Sequence, residues 1–364
     1  MKASSFNSFL ESNTKENYIV SDGLGQTIGG ISHPKADTVL QKVVLTIDKT
    51  KQQIVEEIMD EKIESGAVIV LDAKNGEVLA MASRPNYKQY NLEHYLTSEN
   101  APLINRAVEI YPPGSIFKIV VLSAAIEEKI TNLNEHYMCS GFEKVGGNVF
   151  TCPSYKNGGH GEITLQDAMA YSCNSVFIQL GIELGKDKLM EYAKAYGFGE
   201  KIDIGISEEK EGNLPIPEEV FYQDLGNLSI GQGPIGVTPL QVAQMLLTIT
   251  NKGIIKKPVL VKELIDDRGT KHNADREQCN RRVVSERTAE KIKQSLIAAT
   301  RYGTGTLSTP HSEYDSAGKT GTAEVSANQY HAWFAGFYHA QDPQYVICVL
   351  VENGGSGSTT AAPI

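Results

Sequence analysis

The chain has 364 residues, 41% hydrophobic and 21% charged, an ordinary balance for a folded protein with one large domain and a small appendage. A formal net charge of −10 and a pI near 5.4, with no Lys/Arg-rich run, argue against a nucleic-acid partner. No apolar run approaches the ~18–20 residues that span a bilayer, and the polar stretch Met1–Glu16 lacks the apolar centre of a signal peptide.

In chain order, residues 1–40 hold four glycines among many polar side chains and read as a linker. Helical periodicity follows from about Lys49 to Glu64. Ala67–Leu71 and Glu77–Met81 flank a turn containing Asn75-Gly76, a hairpin signal. From about 85 to 280 the pattern is one of helices and long loops. A helix is predicted from Ser285 to about Tyr302, then a strand opening on Lys319, then strands Trp333–Phe337 and Tyr345–Val351. The last is apolar throughout, as in a central strand covered on both faces.

Chemistry-bearing residues punctuate this pattern. S-x-x-K occurs five times, starting at Ser12, Ser32, Ser115, Ser207 and Ser316. Only the Ser115 copy runs straight into an apolar helix, Ile119–Ile126, after Tyr111-Pro112-Pro113-Gly114. That places a hydroxyl at a helix N-terminus with the Lys118 amine one turn later. Burial makes such a lysine lose its proton easily, so Lys118 is a candidate base for a Ser115 nucleophile. Ser172-Cys173-Asn174 follows a short amphipathic helix that Thr164 can cap, with Asp167 as its partner. S-x-N alone is weak, recurring at Ser5, Ser98 and Ser326. Lys319-Thr320-Gly321-Thr322 holds the one K-T-G in the chain: an amine, two hydroxyls and a glycine for close approach, suited to a peptide ending in a carboxylate.

This ordered trio resembles the transpeptidase domain of class B penicillin-binding proteins, over about residues 40–364. Leu45–Asp48, Asn105-Arg106-Ala107, Leu228–Gly233, Thr238–Gln241 and the continuation Ala323-Glu324 are similar to further hallmarks of that class. The resemblance implies an α/β serine β-lactamase/D,D-transpeptidase fold: a five-stranded antiparallel sheet flanked by helices, with an all-α subdomain. It implies that residues 1–40 are the remnant of a pedestal domain and linker, and residues 41–364 the transpeptidase domain. The expected partners are peptidoglycan stem peptides ending in D-Ala-D-Ala, β-lactams and, for a membrane-anchored parent at the extracytoplasmic face of a bacterial cell membrane, a glycan polymerase. On that reading this chain is expected to lack the parent's anchor.

Carried onto these residues, the family chemistry has Ser115 attack the penultimate D-Ala carbonyl. Lys118 takes its proton, and Lys319 helps keep Lys118 neutral. Ser172 passes a proton to the departing amine, and Asn174 holds the substrate amide. The N–H groups of Ser115 and Thr322 form an oxyanion hole, worth about 3–4 kcal/mol per donor. Thr320 and Thr322, with Lys319 and the close-packed Gly321, bind the terminal carboxylate while the substrate adds to the strand edge. Rival readings are a serine β-lactamase and a β-lactam-binding sensor.

Five cysteines are an odd number for an exported protein. Cys139, Cys152, His160 and Cys173 are separated by twelve, seven and twelve residues, and could form a closed structural zinc site pinning the loop of Ser172 and Asn174. Some elongation-type class B proteins have a zinc site of acidic, His and Cys side chains at comparable spacing; here Cys139 and Cys152 would stand in for carboxylates. A Cys139–Cys152 disulfide is the alternative. Cys348 is expected in a buried strand and Cys279 in a polar loop. The family usually continues past Pro363-Ile364 into a final helix, whose lack would bare one apolar sheet face.

Overall fold

The computed structural model describes residues 42–364 except 89, 91, 267, 274–279 and 310–314. The expected pedestal remnant and Cys279 lie outside the described residues. The chain divides into two units. The smaller gathers the described parts of Met1–Thr46, Asp203–Ser207 and Val259–Glu277. It holds an antiparallel sheet in the order β1-β8-β9, with β1 Lys42–Leu45, β8 Val261–Ile265 and β9 Lys271–Asn273. Thr46 donates its hydroxyl to the Val259 carbonyl at 2.8 Å. The sequence pattern, read as mainly helices and long loops between 85 and 280, named none of these strands. Strands of three to five residues are too short to leave a two-residue period that rises above loop sequence.

The larger unit is built on a five-stranded antiparallel sheet in the order β10-β11-β12-β2-β3. Its strands are β2 (Gly66–Asp72), β3 (Val78–Arg84), β10 (Ser316–Ser326), β11 (Gln329–Tyr338) and β12 (Tyr345–Val351). The predicted β2–β3 hairpin forms: the Asp72 carboxylate accepts from the Lys74 and Asn75 N–H groups, and Gly76 takes φ +79°. The fold class expected from the resemblance is the one observed.

Helices line both faces of this sheet. Helix α1 (Lys49–Lys62) starts where Asp48 accepts from the Lys51 N–H, and its Met59 joins Val68, Val70, Phe334, Val349 and Val351 in one core layer. Ala361 and Ala362 complete that layer, with Phe334 7% and Val351 6% exposed. The bare apolar face expected at the chain's end is therefore largely covered, with Tyr345 and Ile347 half-buried. Single-turn α2 (Leu92–Tyr95) buries nothing. Helix α3 (Lys118–Glu127) is buried from Lys118 to Ile126, as its all-round hydrophobicity requires. It packs against α5 (Asn174–Ala195), beside α4 (Leu165–Ala170, capped by Thr164) and α6 (Asp224–Ser229). Helix α7 (Pro239–Thr250) opens on a reciprocal Thr238/Gln241 capping box, which accounts for the Thr238-Pro239-Leu240-Gln241 signature. Helix α8 (Glu286–Arg301) is capped by Ser285, close to the predicted bounds.

Two small antiparallel pairs stand in the segment read as mainly helices and long loops, where the disulfide alternative had assumed a hairpin. β4 (His136–Cys139) pairs with β7 (Gly161–Thr164), and β5 (Phe142–Val145) with β6 (Asn148–Thr151). Each strand has four residues, and together they carry the segment between α3 and α4.

Candidate active site

Ser115 lies in a single 3₁₀ turn, Gly114–Phe117, that feeds directly into α3. The turn is gripped by backbone on two sides. Gly114 donates its N–H to the Gly231 carbonyl at 2.9 Å, and a Cβ on Gly231 would collide with the Gly114 carbonyl oxygen. On the other side, a Cβ on Gly321 would stand 2.9 Å from Ile116 Cγ1 and 3.2 Å from the Pro113 carbonyl oxygen. Glycine is required at both positions by approach distance, and at Gly231 by φ +71° as well. Ser115 itself is half-buried, and among the described residues none hydrogen-bonds its hydroxyl.

Lys118 is wholly buried one turn later. Its Nζ donates to the Ser172 carbonyl (2.7 Å), the Ser172 hydroxyl (3.2 Å) and Asn174 Oδ1 (2.7 Å). Burial lowers its pKa to about 8, against a partial upward pull from Cys173 and Cys152. Ser172 adopts φ +57°, a left-handed conformation uncommon for serine, which turns both its carbonyl and its hydroxyl onto this amine. Asn174 opens α5, and its Nδ2 donates to the Thr151 carbonyl at 2.9 Å. The amide expected to hold substrate thus already bridges Lys118 and the β5–β6 hairpin.

Lys319 is also wholly buried and donates to the Thr320 carbonyl at 2.9 Å. Burial, then the charge of Lys118, lowers its pKa well below the usual lysine value. Both amines are thus held below the usual lysine range chiefly by burial, with the repulsion between them adding to it at Lys319. Thr320 is 5% exposed, and its hydroxyl is paired with that of Thr304 at 2.6 Å. Thr322 is exposed, and its hydroxyl accepts from the Gly357 N–H at 3.1 Å. A hydroxyl oxygen held in that way turns its hydrogen towards an incoming acceptor. Of the two threonines expected to bind a carboxylate, Thr322 is the accessible one.

Cys139, Cys152, His160 and Cys173 converge beside this centre, with their ligating atoms all within 4.8 Å of one another. Cys152 Sγ lies 3.7 Å from Cys173 Sγ and 3.6 Å from His160 Nδ1. The three cysteines are free thiols, so the alternative Cys139–Cys152 disulfide is not formed. A hydrogen bond shared with Cys173 lowers the Cys152 pKa and raises that of Cys173. Cys348 is a buried strand residue, as expected.

Sequence reasoning missed the frame behind Ser115. Arg106, 6% exposed, donates to Glu352 at 2.9 Å. Glu352 also accepts from Ser65 and, at 2.6 Å, from the Tyr111 hydroxyl. Tyr111 packs edge-on against Trp333, whose indole N–H donates to the Pro112 carbonyl at 3.1 Å. The only prior signal was the Asn105-Arg106-Ala107 hallmark, which named no partner. Burial pushes the Glu352 pKa up, but hydrogen bonds from Ser65, Tyr111 and Arg106 outweigh it and leave it lowered. A depressed carboxyl pKa stabilises the fold above the unfolded value near 4.5, and that contribution fades as pH falls through the folded pKa. Glu352→Ala, which strands the Arg106 charge, is expected to cost about 3 kcal/mol in denaturant melts at neutral pH, and much less in acid.

The family model described as the penicillin-binding protein transpeptidase domain matches residues 66–364. Stage V sporulation protein D of Bacillus subtilis is 34% identical over 341 residues, covering 88% of this chain and 51% of that protein. The peptidoglycan D,D-transpeptidase PbpA of Mycolicibacterium smegmatis is 33% identical over 330 residues, covering 82% of this chain and 65% of that one. The chain thus spans between half and two thirds of the length of these relatives. The solved D,D-transpeptidase domain of a peptidoglycan glycosyltransferase from Eggerthella lenta superposes with a TM-score of 0.81 at 30% identity, over 88% of this chain and 81% of that one. A ceftriaxone acyl-enzyme complex of penicillin-binding protein A from M. tuberculosis gives 0.79 at 29%, over 89% and 78%.

Proposed function

The chain belongs to the penicillin-binding protein transpeptidase family, and on that premise we propose that it is a peptidoglycan D,D-transpeptidase acylated at Ser115. The observation that carries this reading is the buried Lys118 amine, bonded to both Ser172 and Asn174 and one turn after a serine hydroxyl with no partner among the described residues. With a pKa near 8, a useful fraction of Lys118 is neutral at physiological pH and can act as a base.

In the proposed cycle the Ser115 hydroxyl gives its proton to Lys118 as its oxygen bonds the carbonyl carbon of the penultimate D-Ala. The N–H groups of Ser115 and Thr322 receive the oxyanion. Collapse breaks the C–N bond, and the Lys118 proton passes through the Ser172 hydroxyl to the departing D-Ala amine. The terminal carboxylate lies at the Thr322 hydroxyl and towards Lys319. Its charge raises the Lys319 pKa, so that Lys319 becomes the cation and Lys118 stays neutral. An amine of a second stem then attacks the ester carbonyl and gives a proton to Lys118; the C–O bond to Ser115 breaks, Lys118 returns the proton to the Ser115 oxygen, and a new amide is left. β-Lactams acylate Ser115 by the same first step. We place this reaction outside the cytoplasm, where peptidoglycan lies, because relatives are named peptidoglycan D,D-transpeptidases; a membrane-anchored parent with a glycan polymerase as partner belongs to the same proposal. Among the described residues no helix is long and apolar enough to cross a membrane. Intact mass after penicillin treatment tests the reading. One adduct per chain and a single nitrocefin burst are expected, whereas rapid nitrocefin turnover would make the chain a lactamase.

The same proposal includes structural zinc. Tetrahedral zinc with sulfur ligands at ~2.3 Å sets ligand atoms roughly 3.6–3.8 Å apart, which the Cys152–Cys173 and Cys152–His160 separations match. Cys139, Cys152, His160 and Cys173 would hold the ion; it would supply cross-linking of the β4–β7 region to the Ser172 turn, and no catalysis. Dialysed protein is expected to retain one zinc per chain and to show all five thiols on denaturation with chelator. Cys152→Ser should lose the metal and melt several degrees lower. Two missing thiols with no zinc would instead establish a disulfide.

A further inference from the structure

Strand β10 is outermost in its sheet, so one row of its backbone groups faces away from β11. Those groups belong to alternate residues. Gln232 identifies them: with its amide oriented to match donor to acceptor, its nitrogen donates to the Glu324 carbonyl (3.3 Å) and its oxygen accepts from the Glu324 N–H (3.2 Å). The β10–β11 register is unbroken from Ser316 to Glu324, so Thr322 and Thr320 present their backbone to the same side as Glu324. There the Thr320 carbonyl is taken by Lys319 Nζ at 2.9 Å. The Thr322 carbonyl oxygen faces the nucleophile turn, 2.9 Å from where a Cβ on Gly114 would stand. Side chains therefore close the edge on both sides of Thr322.

Gln232 is itself held firmly. Its N–H donates to the Asn227 carbonyl at 2.9 Å, and its neighbour Gly231 accepts from Gly114. One short segment thus touches both the turn of Ser115 and the strand edge beyond it.

This inference rests on the transpeptidase reading. A donor whose carboxylate lies towards Lys319 and whose scissile residue pairs with Thr322 runs antiparallel to β10 towards Glu324. The next backbone pair would be made by the residue two before the penultimate D-Ala. We infer that Gln232 is a specificity-determining residue that occupies that pair, ends strand pairing at Thr322 and turns the donor off the edge. Backbone recognition is then confined to D-Ala-D-Ala, and the stem further out is free to vary in its main-chain chemistry.

Two tetrapeptides test this: acetyl-Gly-Lys-D-Ala-D-Ala and its sarcosine twin, which differ by a methyl on the N–H that would donate to the Glu324 carbonyl. Wild-type kcat/KM for D-Ala release should agree within about twofold between them. In Gln232→Ala the glycine peptide should be favoured by about fivefold or more, the worth of one backbone hydrogen bond. Gln232→Met keeps the bulk and serves if the smaller variant does not fold, which the melting transition reports. A wild-type enzyme that already discriminates, or folded variants that do not, would overturn the inference. So would a wild-type enzyme acylated by penicillin yet turning over neither peptide. Failure of penicillin to acylate the wild type sinks the transpeptidase reading itself, a separate outcome.

Discussion

Ser115→Ala is expected to abolish labelling by a fluorescent penicillin while leaving the melting temperature close to that of the wild type. The reaction needs an oxygen that can form an ester, and alanine supplies none, so the loss is total rather than graded. The fold should be indifferent, because the Ser115 hydroxyl makes no hydrogen bond with any described residue. Stability should even rise slightly if solvation of the half-buried hydroxyl is a cost. Gel fluorescence and intact mass read the result. Stoichiometric labelling of the variant would remove Ser115 from the mechanism.

Lys118 has the second largest expected effect. Replacement by methionine should slow penicillin acylation by about 10²–10⁴-fold, the usual worth of a positioned base. Methionine also breaks three hydrogen bonds, so Lys118→Arg is the more telling variant. Arginine can still donate to Ser172 and Asn174, but it does not deprotonate and should be nearly as slow. The wild-type acylation rate should rise with pH and level off above about 8, because the reactive form is the unprotonated amine whose pKa burial has lowered to about 8. Below that value each pH unit should cost roughly tenfold. Neither variant should keep this limb. A wild-type profile flat between pH 6 and 9, or an arginine variant of full speed, would exclude Lys118 as the base.

How much of this was legible beforehand depended on how local the cause was. The apolar run behind Lys118 announced a central helix, and β12 announced a strand covered on both faces, because hydrophobic pattern is a local property. The caps at Thr164, Thr238 and Ser285 sit within three residues of their partners. The orientations inside the site were not legible. Lys319 turns onto the carbonyl of its own neighbour, Thr320 turns inward to Thr304, and Asn174 spends its amide on Lys118 and Thr151. Arg106 meets Glu352 across 246 positions of sequence, a pairing that no periodicity records. The four-residue strands that end at Cys139 and just before Cys152 left little trace for a related reason: a strand that short repeats its pattern only twice.

The turn that carries Ser115 is clamped by main chain, through Gly231 on one flank and Gly321 on the other. Main-chain walls have no side chains to trim, so single substitutions there can only wedge the serine out of place, and on the proposed reading that harms cross-linking and β-lactam capture together. On that reading, variants that evade β-lactams while keeping cross-linking activity should arise around the rim of the groove, and spare these glycines.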